Sequence, residues 1–170
     1  MLIKDLLNFA RPPKPQLTVV DVNKVLDAAV NFSLKSNPRP IQVLISKAED
    51  IPATVADPMQ LQQVFLNLLL NAADAMPDGG NLVVKTVYDK AEDAIWIYIS
   101  DTGKGIDRKI LDKIFQPFFT TKSKGTGLGL AISKRLIEQH GGTMSAENNP
   151  DAGAKFTISL PVKRGGELHR

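Results

Sequence analysis

Residues Gln62–Met76 read QQVFLNLLLNAADAM, a leucine-rich stretch that carries two asparagines, Asn67 and Asn71, four positions apart. Asparagine is a mediocre helix former, and burying its amide without partners costs roughly 1–3 kcal/mol. On a helix turning by about 100° per residue, Leu61, Val64, Phe65, Leu68, Ala72 and Ala75 cluster around one direction. Leu66, Leu69 and Leu70 extend that apolar surface to the adjoining side. Gln60, Gln63, Asn67, Asn71 and Asp74 fall within one arc of roughly 80° on what remains. A solvent-facing stripe would use Lys and Glu, which favour helices more. Two readings stay open. Either the amides tie down a neighbouring loop, or they line a polar pocket in which a carbonyl ligates a hard cation such as Mg²⁺ alongside substrate phosphates.

Working outward, Asp57-Pro58 starts this helix with a capping carboxylate and a proline at the first helical position, and Pro77-Asp78-Gly79-Gly80 ends it. Upstream, Leu2, Ile3, Leu6, Leu7 and Ala10 recur at helical spacing, and RPPKP stops that helix and forms an extended linker. Asp21 caps a second helix, and IQVLISK and PATVA read as strands. Downstream, NLVVKTVYD and AIWIYIS alternate and form a hairpin through KAED. Then come DTGKGI, a short amphipathic helix, the polar run FFTTKSK, and GTGLGL opening a helix that ends at His140. TMSAEN and AKFTISLP close as strands, and residues 163–170 form a disordered tail. This order predicts an α+β fold, a two-layer α/β sandwich whose mixed, mostly antiparallel sheet is covered on one face by helices.

The 170 residues are 43% hydrophobic and 23% charged, enough apolar mass for one globular domain. The absence of cysteine excludes disulfides, iron–sulfur clusters and thiolate zinc sites, and two histidines are too few for a histidine metal centre. No apolar run is long enough to span a bilayer and no signal peptide is legible, so a cytoplasmic domain without direct membrane contact is expected, whatever anchors its parent. The net charge of +3 is mild, but Arg108, Lys109, Lys113, Lys122, Lys124, Lys134 and Arg135 face only Asp107 and Asp112 in one segment. That field suits a nucleotide triphosphate or is a solvated basic face. Nucleic acid is not expected as a partner, because no aromatic residues alternate with these cations as stacking platforms.

The glycine motifs narrow the choice. In DTGKGI, Asp101 ends a strand and can accept a hydrogen bond from an exocyclic amine, which adenine has and guanine replaces with a carbonyl. The alternative is a tight turn in which Asp101 bonds its own backbone. GTGLGL, from Gly125 to Leu130, opens a helix, and helix N-termini attract phosphate. It is not a dinucleotide fingerprint, because Leu130 stands where the third glycine belongs and no strand precedes it. No Walker-type loop exists, since the single Gly-Lys pair, Gly103-Lys104, is followed by Gly105.

NLLLNAADAM, DTGKGI, IFQPFFTTK and GTGLGL, in this order, resemble the N, G1, F and G2 boxes of the ATP-binding catalytic domain of bacterial sensor histidine kinases. HGGTMSAEN and AKFTISLP resemble that family's closing strands, and the likeness runs from Asp21 to Val162. The resemblance implies the Bergerat fold of the GHKL ATPases, with ATP and Mg²⁺ as ligands. It divides the chain into 1–20, the end of a dimerisation helix and its linker, 21–162, the catalytic domain, and 163–170, the tail.

By position, the resemblance implies that Asn71 ligates Mg²⁺, Asn67 assists at the phosphates, and Asp101 holds the adenine amine with Gly103 and Gly105 giving backbone room. Thr157 would supply a hydroxyl near adenine, and Phe118 to Lys124 a mobile lid with Lys122 near the phosphates. Gly125, Gly127 and Gly129 would let the lid close, and Ile106, Thr121, Thr126, Leu128 and Leu130 complete the nucleotide-lining set. Gyrase-type, chaperone-type and mismatch-repair relatives place a glutamate one turn before the metal asparagine to activate water. Here that position is Asn67, and an amide is no general base at neutral pH. The implied activity is therefore transfer of the γ-phosphoryl to a histidine on a separate dimerisation domain, and through it to a response regulator. A hydrolysing ATPase of the same fold and a non-catalytic nucleotide sensor are the alternatives. The family's phosphoacceptor motif, a histidine followed by an acidic residue, is absent, so the chain reads as a catalytic fragment. His140 reads as structural, since a cation at a helix C-terminus suits the dipole, and His169 lies in the tail.

Overall fold

The computed structural model describes residues 2–122 and 127–165. Among the described residues, four helices and seven strands follow one another as α1 (Leu2–Ala10), β1 (Thr18–Val20), α2 (Val22–Lys35), β2 (Ile41–Ser46), β3 (Thr54–Ala56), α3 (Pro58–Asp74), β4 (Gly80–Asp89), β5 (Ala94–Asp101), α4 (Gly129–Gln139), β6 (Thr143–Asn148) and β7 (Ala154–Pro161). Strand propensity and alternation build a five-stranded sheet in the order β2-β4-β5-β7-β6. Only β2 and β4 run parallel; every other pairing in that sheet is antiparallel. Along β5 the isoleucines Ile95, Ile97 and Ile99 point inward with Asp101, while Trp96, Tyr98 and Ser100 turn outward.

The inward faces of β4, β5 and β7 meet Leu26, Leu61, Val64, Phe65 and Leu68 of α2 and α3, and Ile132, Leu136 and Ile137 of α4, in one continuous core. Each such fully buried side chain contributes about 1.5–3 kcal/mol, so the three helices are bound to one face of the sheet and the outer face stays open. The expected two-layer α+β sandwich with a mostly antiparallel sheet is what forms.

Three local readings change. Residues 107–116 are successive turns instead of an amphipathic helix: the N–H groups of Ile110, Lys113 and Gln116 bond carbonyls three residues back, at Asp107, Ile110 and Lys113. Docking of Ile110, Leu111, Ile114 and Phe115 on the core holds this segment without an α-helical ladder. Thr18–Val20, assigned by sequence to the linker, pairs with Thr54–Ala56 as a separate two-stranded sheet; three residues are too few to show a period. Lys163 and Arg164, assigned to the tail, are held in place. Lys163 donates its N–H to Thr54 Oγ1 at 2.8 Å and accepts the Val55 N–H at 2.7 Å, and Arg164 pairs with Asp93 at 2.6 Å. Residues 166–170, including His169, lie outside the described residues.

Candidate functional site

The site is built along α3, so the anchoring of that helix comes first. Asp57 caps it, with Oδ1 accepting the Met59 and Gln60 N–H groups at 3.0 and 3.1 Å and Oδ2 accepting the Gln16 N–H at 2.8 Å. The Asp57 N–H donates to His140 Nε2 at 3.0 Å, and His140 Nδ1 lies 2.7 Å from the Leu136 carbonyl. Because Nε2 accepts, the ring proton belongs on Nδ1, facing that carbonyl. His140 is thus a buried clamp joining the end of α4 to the start of α3, a structural role carried out by a neutral ring.

The polar stripe of α3 divides along its length. Near the start, Gln60 is buried and donates to the Pro13 carbonyl at 3.2 Å, which ties the proline linker to the helix. About two turns later, Asn67 Nδ2 donates to Ser133 Oγ of α4 at 3.0 Å. A Cβ on Gly129 would lie only 2.7 Å from Asn67 Oδ1, so the first turn of α4 presses directly against this amide. Asn71 Oδ1 accepts a hydrogen bond from the Lys122 ammonium at 2.8 Å, and Asp74 Oδ2 pairs with the same ammonium at 2.7 Å. In this structure the stripe ties down its neighbours along its length: Gln60 and Asn67 bind the linker and α4, and Asn71 and Asp74 bind the Lys122 ammonium.

Across from α3, Asp101 ends β5 and is 3% exposed. Its Oδ1 accepts the Gly103 N–H at 2.8 Å and the Ala154 N–H at 3.3 Å. Among the described residues Oδ2 has no hydrogen-bond partner. Burial pushes the carboxyl above its ordinary value, and the two backbone N–H bonds pull partly the other way. The turn reading and the amine-acceptor reading are thus compatible, one oxygen for each. Gly103 is required by a close approach, since a Cβ there would lie 2.3 Å from the Ala75 carbonyl oxygen. Gly105 adopts φ +72, a conformation that glycine takes without strain.

Three residues of this wall escaped the sequence reading. Asn148 accepts the Ile106 N–H at 2.8 Å and donates back to the Ile106 carbonyl at 2.6 Å, which fixes the glycine turn and leaves Ile106 half-buried. Asn149 Nδ2 reaches Ser100 Oγ and the Asp101 carbonyl, both at 2.9 Å. Gly153 backs onto Asp101 so tightly that a Cβ would lie 1.9 Å from its carbonyl oxygen. The signal available was the turn-rich run NNPDAG between the last two strands, whose partner is not local in sequence.

The remaining predicted residues divide as follows. Phe118, 58% exposed with φ +65, sets its ring edge-on to Phe9 of α1 at 6.3 Å. Gly127, with φ +73, stacks against the Phe118 backbone, so the two ends of this loop touch. Thr121 is exposed, Leu128 is fully buried and Leu130 packs against the core. Lys124, Gly125 and Thr126 lie outside the described residues. Thr157 does not join the others: it pairs with Tyr98 and Ser145 on the outer face of the sheet, whereas Asp101 points inward. Strand alternation separates them, because Thr157 is odd in a strand whose even members, Phe156 and Ile158, enter the core.

An amide-lined helix wall, a buried carboxylate at a strand end and glycine turns at both flanks coincide with a family pattern. The profile of the histidine kinase-, DNA gyrase B- and HSP90-like ATPases matches residues 56–164. The chain belongs to this ATPase family. Among its relatives, the sensor histidine kinase ZraS of Escherichia coli (strain K12) is 38% identical over 162 residues, covering 95% of this chain and 34% of ZraS. This chain thus spans about a third of that relative. The nucleotide-free catalytic domain of histidine kinase ThkA superposes with a TM-score of 0.77 at 30% identity, covering 88% of this chain and 99% of that one. Full-length ShkA in complex with AMPPNP gives a TM-score of 0.82 at 27% identity, covering 96% of this ATPase-family chain and 36% of ShkA. Among the described residues no helix is long and apolar enough to cross a membrane.

Proposed function

We propose that the chain is the ATP-binding catalytic domain of a sensor histidine kinase, which transfers the γ-phosphoryl of Mg·ATP to a histidine on a separate dimerisation domain. The observation that carries this reading is the cation on Asn71. An ammonium seated 2.8 Å from Oδ1 marks an outward-facing carbonyl with a lone pair for a positive ion, one turn after an amide where a water-activating carboxylate would be needed for hydrolysis. Among the described residues no group of three or more His, Cys, Asp or Glu could hold a metal, so the donor set suits Mg²⁺ only alongside phosphate oxygens and water. Mg²⁺, when bound at Asn71, would neutralise charge on those phosphates.

Asp101 Oδ2 then accepts the adenine amine, with Gly103 and Gly105 keeping the turn free of side chains where the base approaches. Asn67 assists at the phosphates, Gly129 keeps the start of α4 close to α3, and Gly127 lets the chain pass against the Phe118 backbone. Lys122 supplies positive charge to the triphosphate from the segment that carries Thr121 and Phe118. Catalysis is positioning and charge stabilisation, with no covalent step on this domain. The exposed Ile3 and Leu7 of α1 fit the end of a longer dimerisation helix in residues 1–20. The phosphohistidine formed there would pass its phosphoryl to a response regulator, in the cytoplasm where ATP is supplied.

The test supplies a dimerisation domain with its histidine in trans, with γ-labelled ATP. The expected product is acid-labile phosphohistidine, with little free phosphate when the partner is omitted. Rapid hydrolysis by the domain alone would make it a hydrolase, and ATP bound without phosphohistidine would make it a sensor of nucleotide.

A further inference from the structure

Asp74 is the last residue of α3, where the helix dipole is negative and a carboxylate is unfavourable; no basic residue of the helix itself offsets it. Its compensation comes from elsewhere in the fold. Oδ2 pairs with Lys122 at 2.7 Å and Oδ1 with Arg39 at 3.2 Å, from segments 48 and 35 residues away. Lys122 also donates to Asn71 Oδ1, so two of its three N–H donors end on adjacent turns of α3. The backbone beneath it is set by the Lys122 N–H bond to Thr120 Oγ1 at 3.0 Å.

We propose that Lys122 is a built-in competitor of the metal–nucleotide: its ammonium straps the Thr120–Lys122 segment to Asn71 and Asp74, and Mg·ATP binds only as that strap is released. This inference rests on the reading of Asn71 as the metal ligand. One carbonyl oxygen cannot hold an ammonium and a divalent cation together at hydrogen-bond and ligand distance, since like charges at such range repel strongly. The strap is therefore exclusive with the bound metal, and the triphosphate that arrives with it offers the displaced ammonium a richer anion than Asp74. The two side chains of the ion pair are each 44% exposed, which keeps the strap weak enough for a ligand to break. Arg39 weakens it further by sharing the Asp74 carboxylate. Competition of this kind is reciprocal: the bound metal–nucleotide disfavours the strap as much as the strap disfavours it, so whatever loosens the strap raises nucleotide affinity.

Asp74→Asn removes the carboxylate charge while leaving Asn71, Asp101 and the glycine turns as they are. The fold should change little in stability, because the unfavourable charge at the helix C-terminus is lost together with the two exposed ion pairs that offset it. Calorimetry with Mg·ATP should show affinity raised by about two- to fivefold, the range open to a surface ion pair. In nucleotide-free protein, amide hydrogen exchange in the peptide containing Thr120–Lys122 should be faster in the variant, and the two proteins should become alike once Mg·ATP is saturating. Arg39→Gln, which leaves Asp74 to Lys122 alone, should shift affinity slightly the other way. Affinity unchanged or lowered in Asp74→Asn overturns the strap, a lowering assigning Asp74 to the metal site itself. Loss of ATP binding by the unmodified protein would instead overturn the nucleotide reading, and the competition with it. The exchange difference at Thr120–Lys122 would still report on the ion pair.

Discussion

Replacing Asp101 with asparagine separates the two jobs that the structure gives this carboxylate. Oδ1 holds the glycine turn by accepting the N–H groups of Gly103 and Ala154, and an amide oxygen can take over both bonds. Oδ2 becomes an NH₂, which cannot accept from the adenine amine and points a donor at it. A charge-assisted hydrogen bond is worth about 1.5–3 kcal/mol, so ATP affinity should fall roughly 10- to 100-fold. The fold should not suffer in step. Burial raises the Asp101 pKa above its ordinary 3.8, so the folded state disfavours the charged form, and at neutral pH that charge lowers stability. The neutral variant should therefore melt at the same temperature or higher without nucleotide. Acidifying the unmodified protein works in the same direction: as pH drops through the raised pKa the carboxyl takes up its proton more readily folded than unfolded. Its cost to stability is then relieved, while ATP binding through Asp101 is lost at a higher pH than an exposed aspartate would titrate. Calorimetry with Mg·ATP and a thermal melt of the nucleotide-free protein measure both quantities. Unchanged affinity would remove Asp101 from the base site, and affinity lost together with a lowered melting temperature would assign the carboxylate to the fold alone.

Asn71→Ala should abolish the Mg²⁺ dependence of nucleotide binding, measured as affinity with and without the ion; a dependence that persists places the metal elsewhere. Gly153→Ala combines a left-handed backbone at φ +85 with a Cβ 1.9 Å from the Asp101 carbonyl oxygen, so it should cost more than about 2 kcal/mol and lower the melting temperature by at least about 5 °C. A melt identical to the parent's would mean that the 149–153 turn does not pack on Asp101 as described. Asp57→Ala strips three backbone N–H groups of their acceptor and should lower urea stability by about 1–2 kcal/mol, with an unchanged transition midpoint counting against its role as the cap.

The reading of α3 from Gln62 to Met76 succeeded because one helix records its own surroundings: apolar residues over most of its circumference, amides where something polar approaches. The hairpin, the closing strands and the glycine turns were legible for the same reason, since period and turn chemistry are local properties. Thr157 shows the limit. Its motif position suggested the base site, yet strand parity turns it to the outer face, and parity depends on which face the helices cover. Asn148, Asn149 and Gly153 show the converse: NNPDAG marks a turn, but nothing in it says that Asn149 and Gly153 meet Asp101, or that Asn148 meets Ile106, from 42 or more residues away.

Sequence alone determined the layers of this protein, the amide wall and the carboxylate at the strand end, because hydrophobic period and residue chemistry travel with the chain. Only the tertiary structure decided which polar groups face each other. Lys122 on Asn71 and Asp74, His140 on Asp57 and the β6–β7 turn behind Asp101 are meetings of distant segments. Their geometry is set by how the helices dock on the sheet, a property of the whole core that no local stretch encodes.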